Sequence, residues 1–242
     1  MKYNGAAFLV GVSFVISVVL FTNSWDKRIS NQNKISVKGL AKRNFTSDLI
    51  VWRCSFTRTS FDMKSAYAEI KSDEDVIKAY LISKGIDNNQ LVISSINIDQ
   101  NYDYEYDQNG RSKRVFKGYN LRQEIKIESG NVELIEKVSR EITELIDKGI
   151  TLYSLQPQYY YTKLADLKLE MIEEATQDAT TRTDKIATNA NSELGKLVNA
   201  NLGIFQITGQ NSNEDYTWGG VYNTSEKNKT ASVTMSLQFE ID

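Results

Sequence analysis

The chain has 242 residues, 40% hydrophobic and 25% charged, a composition that folds into a globular body rather than a disordered tail. Lys and Arg number 29 against 31 Asp and Glu, a net charge of −2, so no basic excess exists to neutralise a phosphate backbone and no nucleic-acid partner is expected. The absence of histidine excludes Ser-His-Asp and Cys-His nucleophiles, H-E-x-x-H zinc sites and any imidazole base.

Residues Gly5 to Thr22 form an uncharged, mostly apolar run. As a helix it would reach ~27 Å, close to the thickness of a bilayer core. No A-x-A pattern follows it, and the only cysteine, Cys54, lies too far downstream to be a lipoprotein site. Residues 1–25 therefore read as an uncleaved signal anchor, a transmembrane helix, and 26–33 as a linker. Lys27, Arg28, Lys34 and Lys38 follow the run, and counted alone they would hold the downstream domain in the cytoplasm. A short N-tail before a long domain is the ordinary layout of an exported anchor, so the expected location is anchored in the inner membrane, on the periplasmic or extracellular side.

Residues 34–242 read as one domain. Alternation marks strands at Lys34 to Arg43 and at Asp48 to Thr59, where Cys54 falls on the apolar face as a small core residue. Asp62 caps a helix stopped by Gly85. A strand from Leu91 to Tyr106 turns at Asp107 to Gly110 and returns antiparallel from Val115 to Glu128. Asn131 caps a second helix, stopped by Gly149, and a strand from Ile150 to Tyr161 carries the sole proline, Pro157, at an edge or strand end. The longest helix is read from Leu164 to Asn201, about 38 residues and ~57 Å, either unbroken or bent near Thr188 to Asn191. Gly203 to Thr208 and Ala231 to Ile241 form a hairpin around the polar loop 209–230. The order β-β-α-β-β-α-β-α-β-β predicts an α+β fold with helices on one side of a mixed, largely antiparallel sheet. Strand–helix–strand appears twice, from Asp48 to Tyr106 and from Val115 to Tyr161, which suggests an internal duplication.

Three features stand outside the core pattern. Tyr102, Tyr104 and Tyr106 share one strand face, with Asp103, Glu105 and Asp107 on the other; the tyrosines offer a contact surface, and the acids lack the glycine of a calcium loop. The small residues of the long helix, Ala175 and Ala179 among them, permit close backbone approach, to a second subunit if the helix outruns its domain. Glu170, Glu173, Glu174 and Asp178 read as a solvated helix face rather than an acid/base pair. In loop 209–230, Trp218 and Tyr222 are candidates for ligand contact. No catalytic, metal or cofactor-binding residues emerge.

Certain segments carry a family resemblance: Ile35-Ser-Val-Lys-Gly39, the hairpin ending in Gly118-Tyr119, the strand Gly149 to Tyr161 with Pro157, and the helix running into Leu194-Gly-Lys-Leu-Val-Asn-Ala-Asn-Leu-Gly203. Together they resemble the SIMPL domain family, bacterial and archaeal envelope proteins that include the periplasmic immunogenic proteins. The resemblance covers roughly residues 34 to 242. This chain departs from it in a helix with Thr176, Thr180, Thr181, Thr183 and Asn189 where relatives are richer in alanine. The resemblance implies an exported homo-oligomer, associated in some relatives with envelope integrity or oxidative stress, with no cofactor and no catalytic residues to carry over. Two functions follow as expectations: a non-enzymatic, membrane-tethered envelope protein that self-associates through the long helix and the tyrosine hairpin, or a small-molecule or peptide binding module using loop 209–230.

Overall fold

The computed structural model describes residues 11–22, 34–106 and 111–241. Residues 11–22 form helix α1, whose apolar side chains are exposed, Phe14 at 70% and Phe21 at 65%. Among the described residues no helix is long and apolar enough to cross a membrane. The start of the expected span, the linker 26–33 and the turn 107–110 lie outside the described residues.

The body holds two sheets, each with its own core, where a single mixed sheet was expected. The first is built from β2 (Leu49–Ser60), α2 (Met63–Ser83), β3 (Leu91–Ile93), β4 (Asn97–Tyr106), β5 (Ser112–Ser129), α3 (Val132–Glu141), β6 (Thr151–Ser154) and β7 (Gln158–Tyr160). Its order is β3-β5-β2-β6, with β4 continuing along β5 and β7 along β2. Two strand–helix–strand units interleave: β2-α2-β3 straddles β5, and β5-α3-β6 straddles β2. The two strand–helix–strand runs read in the sequence thus share one sheet. The alternating positions Ile50, Trp52, Cys54 and Phe56 meet Leu121, Ile125 and Ile127 under Ile70, Ile77, Leu81, Ile135 and Val138 of the helices, all essentially inaccessible.

The helix signals act as read. Asp62 accepts from Ser65 N at 3.0 Å, Asn131 accepts from Leu134 N at 3.2 Å, and Gly149, at φ 78°, stops the turn Ile142–Lys148 that extends α3. The long strands are interrupted. Leu91 to Tyr106 breaks where Ser94 N donates to Glu124 O and Ser94 Oγ accepts from Glu124 N. Ile150 to Tyr161 breaks at Pro157, which has no N–H to give the ladder.

The second sheet joins the two ends of the domain. β1 (Lys34–Thr46) pairs with β10 (Asn228–Ile241) from Lys34↔Glu240 to Thr46↔Asn228, and β8 (Leu194–Leu202) and β9 (Gln206–Gly209) share the far side of β10. All named strand pairs are antiparallel, and the one parallel contact described is the isolated bridge Ile207↔Tyr222. Helix α4 (Leu164–Asn189) covers one face of this sheet, setting Leu167, Met171, Ala175 and Ala179 on Ala41, Val233, Leu237 and Phe239.

Helix α4 has 26 residues and ends at Asn189, not Asn201, and no bent second helix follows. Asn191 adopts φ 54°, while Ser192 N donates to Ala187 O and Asn191 N to Thr188 O. These paired bonds form a Schellman motif with asparagine where glycine is usual. Leu194 and Leu197, read as helical, belong to strand β8 instead.

Candidate functional site

Three surfaces bear the candidate residues. The first is a ribbon. Ser60, the last paired residue of β2, faces Tyr119, so β5 before that point has only β4 beside it, from Asn101↔Gly118 to Tyr106↔Ser112. Gly118 sits at φ 115° where a Cβ would lie 2.7 Å from Ser60 O, so the bulge at the ribbon's root requires glycine. Phe116 holds the root by packing edge-on against Phe61, Tyr102 and Tyr119 at centroid distances of 6.2, 5.5 and 5.2 Å. The Arg114 guanidinium lies 3.6 Å from the Tyr102 ring centroid. Tyr102 is thereby half-buried, while Tyr104 and Tyr106 remain 59% and 74% exposed. On the opposite face Glu105 pairs with Lys117 at 3.0 Å, and Asp107 lies outside the described residues. No group of three metal-ligating side chains stands together among the described residues.

The second surface is α4, and here the sequence reading needs correction. Ala175 and Ala179 are fully buried, and the close approach they permit is made within the chain, to Gly39 of β1. They present nothing to a second copy. The threonines do not disturb this packing, because Thr183 Oγ1 donates to Ala179 O at 2.8 Å and Thr176 Oγ1 to Ile172 O at 2.7 Å. The carboxylates pin the helix across the sheet edge. Glu170 and Glu174 both bind Arg43, and Asp178 accepts from the backbone N of Leu40 at 2.8 Å, which holds its carboxyl below the usual range. Glu170 and Glu174 are thus committed to one guanidinium. Cys54 is equally committed, its buried thiol pushed up to about 12 by desolvation.

The third surface is the loop between β9 and β10, an ordered structure organised by one buried side chain. Gln206 Nε2 donates to Thr217 O at 2.8 Å, and its Oε1 accepts from Val221 N at 2.9 Å. Tyr216 OH accepts from Ser232 Oγ at 3.0 Å, and Glu214 binds Asn223 and the N of Gly209. The loop arches over the helix-free face of the second sheet and borders an open groove of about 430 Å³ between Leu40, Ile204, Tyr216, Trp218 and Thr234. Trp218 stands at its rim, 96% exposed. Tyr222 does not line it; its ring turns to Tyr160, 6.5 Å away, at the seam between the two sheets. Leu40 and Ile204 were not legible as site residues, because only strand pairing brings them beneath the loop.

A family model described as SIMPL, a protein of unknown function (DUF541), matches residues 35–241. The chain belongs to the SIMPL family. No curated protein matches it significantly. The SIMPL match runs from β1 to β10, so the family unit is the two-sheet body including the strand pair that joins its ends. Its description assigns no activity, and in this SIMPL chain the candidate surfaces rest on geometry alone.

Proposed function

We propose that this SIMPL protein is a non-enzymatic, membrane-tethered envelope protein that works by contact and associates with copies of itself through the β4–β5 ribbon. The observation that carries the reading is the ribbon itself. A two-stranded hairpin is marginal in water, yet this one projects beyond the sheet with Tyr104 and Tyr106 exposed and the aromatic ring of Phe61, 69% exposed, at its root. Phenolic rings bury large area while keeping a polar tip wet, the chemistry of a protein contact. The tether is supported by the apolar run from Gly5 to Thr22, whose described helical part leaves its apolar side chains exposed.

Light scattering coupled to size-exclusion chromatography of the full chain tests the association. The expected result is an oligomer that Y104S/Y106S shifts toward monomer by about tenfold or more in dissociation constant, as for loss of two interface aromatics. A wild-type monomer at micromolar concentration overturns it. A topology reporter at the C-terminus tests the tether, and a cytoplasmic readout overturns the exported placement.

A second reading is favoured by the groove under Trp218. Its ordered walls and aromatic rim suit a small apolar ligand or a peptide side chain. Quenching or blue shift of Trp218 fluorescence on titration with an apolar peptide, absent in W218A, would support it.

A further inference from the structure

The helix-free face of the first sheet carries a pattern that neither reading above uses. Strand register sets Thr151, Thr57, Arg122 and Asn97 in one row across four strands, and Thr59, Asn120 and Asp99 in the next same-face row. These side chains, with Tyr153, line a cavity of about 640 Å³. A smaller cavity of about 260 Å³, bordered by Ser55, Ser94 and Ser95, joins it at Asn97 and Arg122.

A solvated sheet face is ordinary, and further along the same face this one is ordinary: Arg53 pairs with Glu124 at 3.6 Å and Lys126 with Glu128 at 3.3 Å. Around Arg122 the character changes to short amides and hydroxyls. Asn97, Asp99 and Asn101 take alternate positions on β4, and Asp99 faces Asn120 directly. Asn and Asp are poor strand formers, and sequences break local preference where a site requires it. Arg58 at the cavity's edge is neutralised by two bonds to Asp73, at 2.5 and 2.8 Å. Arg122, by contrast, has no carboxylate within ion-pair distance among the described residues, and its recorded partner is Ser55 Oγ at 3.5 Å. Asn120 accepts from Thr59 at 3.1 Å through Oδ1, which leaves its amide NH₂ to donate.

The geometry points to a binding site for a neutral saccharide of about two sugar units. Sugar hydroxyls both donate and accept, and they match a wall that mixes guanidinium and amide donors with a carboxylate and amide carbonyls. Tyr153, 52% exposed at one end of the rows, offers a ring for the apolar face of a pyranose. The lining carries two guanidinium groups, Arg58 and Arg122, and two carboxylates, Asp99 and Glu69, so neither sign of charge dominates. The volume falls within the range of small-molecule sites.

The test is a proton–nitrogen NMR titration of the full chain, kept in a sugar-free detergent, with maltose, cellobiose and diacetylchitobiose in turn. Saturable shifts are expected with at least one of them at Thr57, Thr59, Asn97, Asn120 and Arg122. R122Q is expected to weaken binding about tenfold, the effect of losing a charged hydrogen bond, and W218A to leave it unchanged. Y153A provides a second variant should R122Q alter the fold. No saturable shift with any of the three at tens of millimolar overturns the proposal. So does binding that R122Q and Y153A both leave intact, or the same shifts produced by inorganic phosphate but not by sugar, which would mark an anion site.

Discussion

Lys229 is the residue whose placement is hardest to reconcile with its chemistry. It is completely buried at the seam between the two sheets, its Nζ donating to Glu226 O and lying 5.8 Å from the Tyr159 ring. Loss of water lowers its pKa to about 8 from an ordinary 10.5, a shift that Glu226 and Glu214 only partly oppose. Between those two values the unfolded chain binds more protons than the folded one, so this residue makes stability rise with pH, and its cost is fully present below the lower value. Relative to K229M, the wild type is expected to gain about 2 kcal/mol between about pH 7 and about pH 9.5. Urea unfolding of both proteins at the two pH values checks this. A constant difference would show that the ammonium is solvated in the folded state. Referencing to K229M removes the opposing contributions of Cys54 and Tyr159, whose raised pKa values, each about 12, reduce stability at high pH.

At the scale of elements, the contact between α4 and β1 is made backbone to backbone. A Cβ on Gly39 would run into Ala175 O and lie 2.5 Å from Ala179 N, with no flexible side chain to give way. G39A is therefore expected to cost about 1–3 kcal/mol, the penalty of overpacking. G130A, whose new methyl would meet only Asp48 O at 3.7 Å, should change stability by less than about 0.5 kcal/mol. Equal midpoints in urea for the two variants would mean that the helix rides further from the strand than described. The same contact shows what was legible. Asp62, Asn131, Gly85 and Gly149 delimit their helices because caps and left-handed stops act on the local chain, and the apolar alternation of β2 is intrinsic to a half-buried strand. Asn191 was read as the site of a bend at most, not as a stop, because Leu194 and Leu197 continue the helical spacing past it, and because β8, exposed along most of its length, lacks alternation. Ala175 and Ala179 were correctly read as permitting close approach, but the partner, Gly39, is set by pairing across the chain and has no local signature. Trp218 was legible as an isolated aromatic in a polar loop. Arg122 was not, since its rows exist only once four strands are in register.

At the scale of the whole molecule, the two cores differ in how the chain assembles them. The first is closed within one contiguous stretch, β2 to β7, in which β2 pairs with β5, β6 and β7. The second cannot form until β10 has been delivered to β1 from the opposite end of the domain. Loop closure of that length favours the local core first. The cores meet through a narrow seam. Asp48 accepts from Thr162 N and Oγ1, both at 2.7 Å, Tyr159 N donates to Thr224 O at 2.7 Å, and Lys227 pairs with Glu136 at 3.4 Å. Few polar bonds between two separately packed interiors imply two cooperative units rather than one. Native-state hydrogen exchange is expected to release Val233 and Leu237 of β10 at a lower opening free energy than Ile125 and Ile127 of β5. D48A should widen that gap by about 1–3 kcal/mol, because it removes two hydrogen bonds to a carboxylate at the start of α4 and so loosens the second unit. Matched opening energies for the four amides, unchanged by D48A, would instead mean that the seam fuses both sheets into a single folding unit and that the chain ends close early.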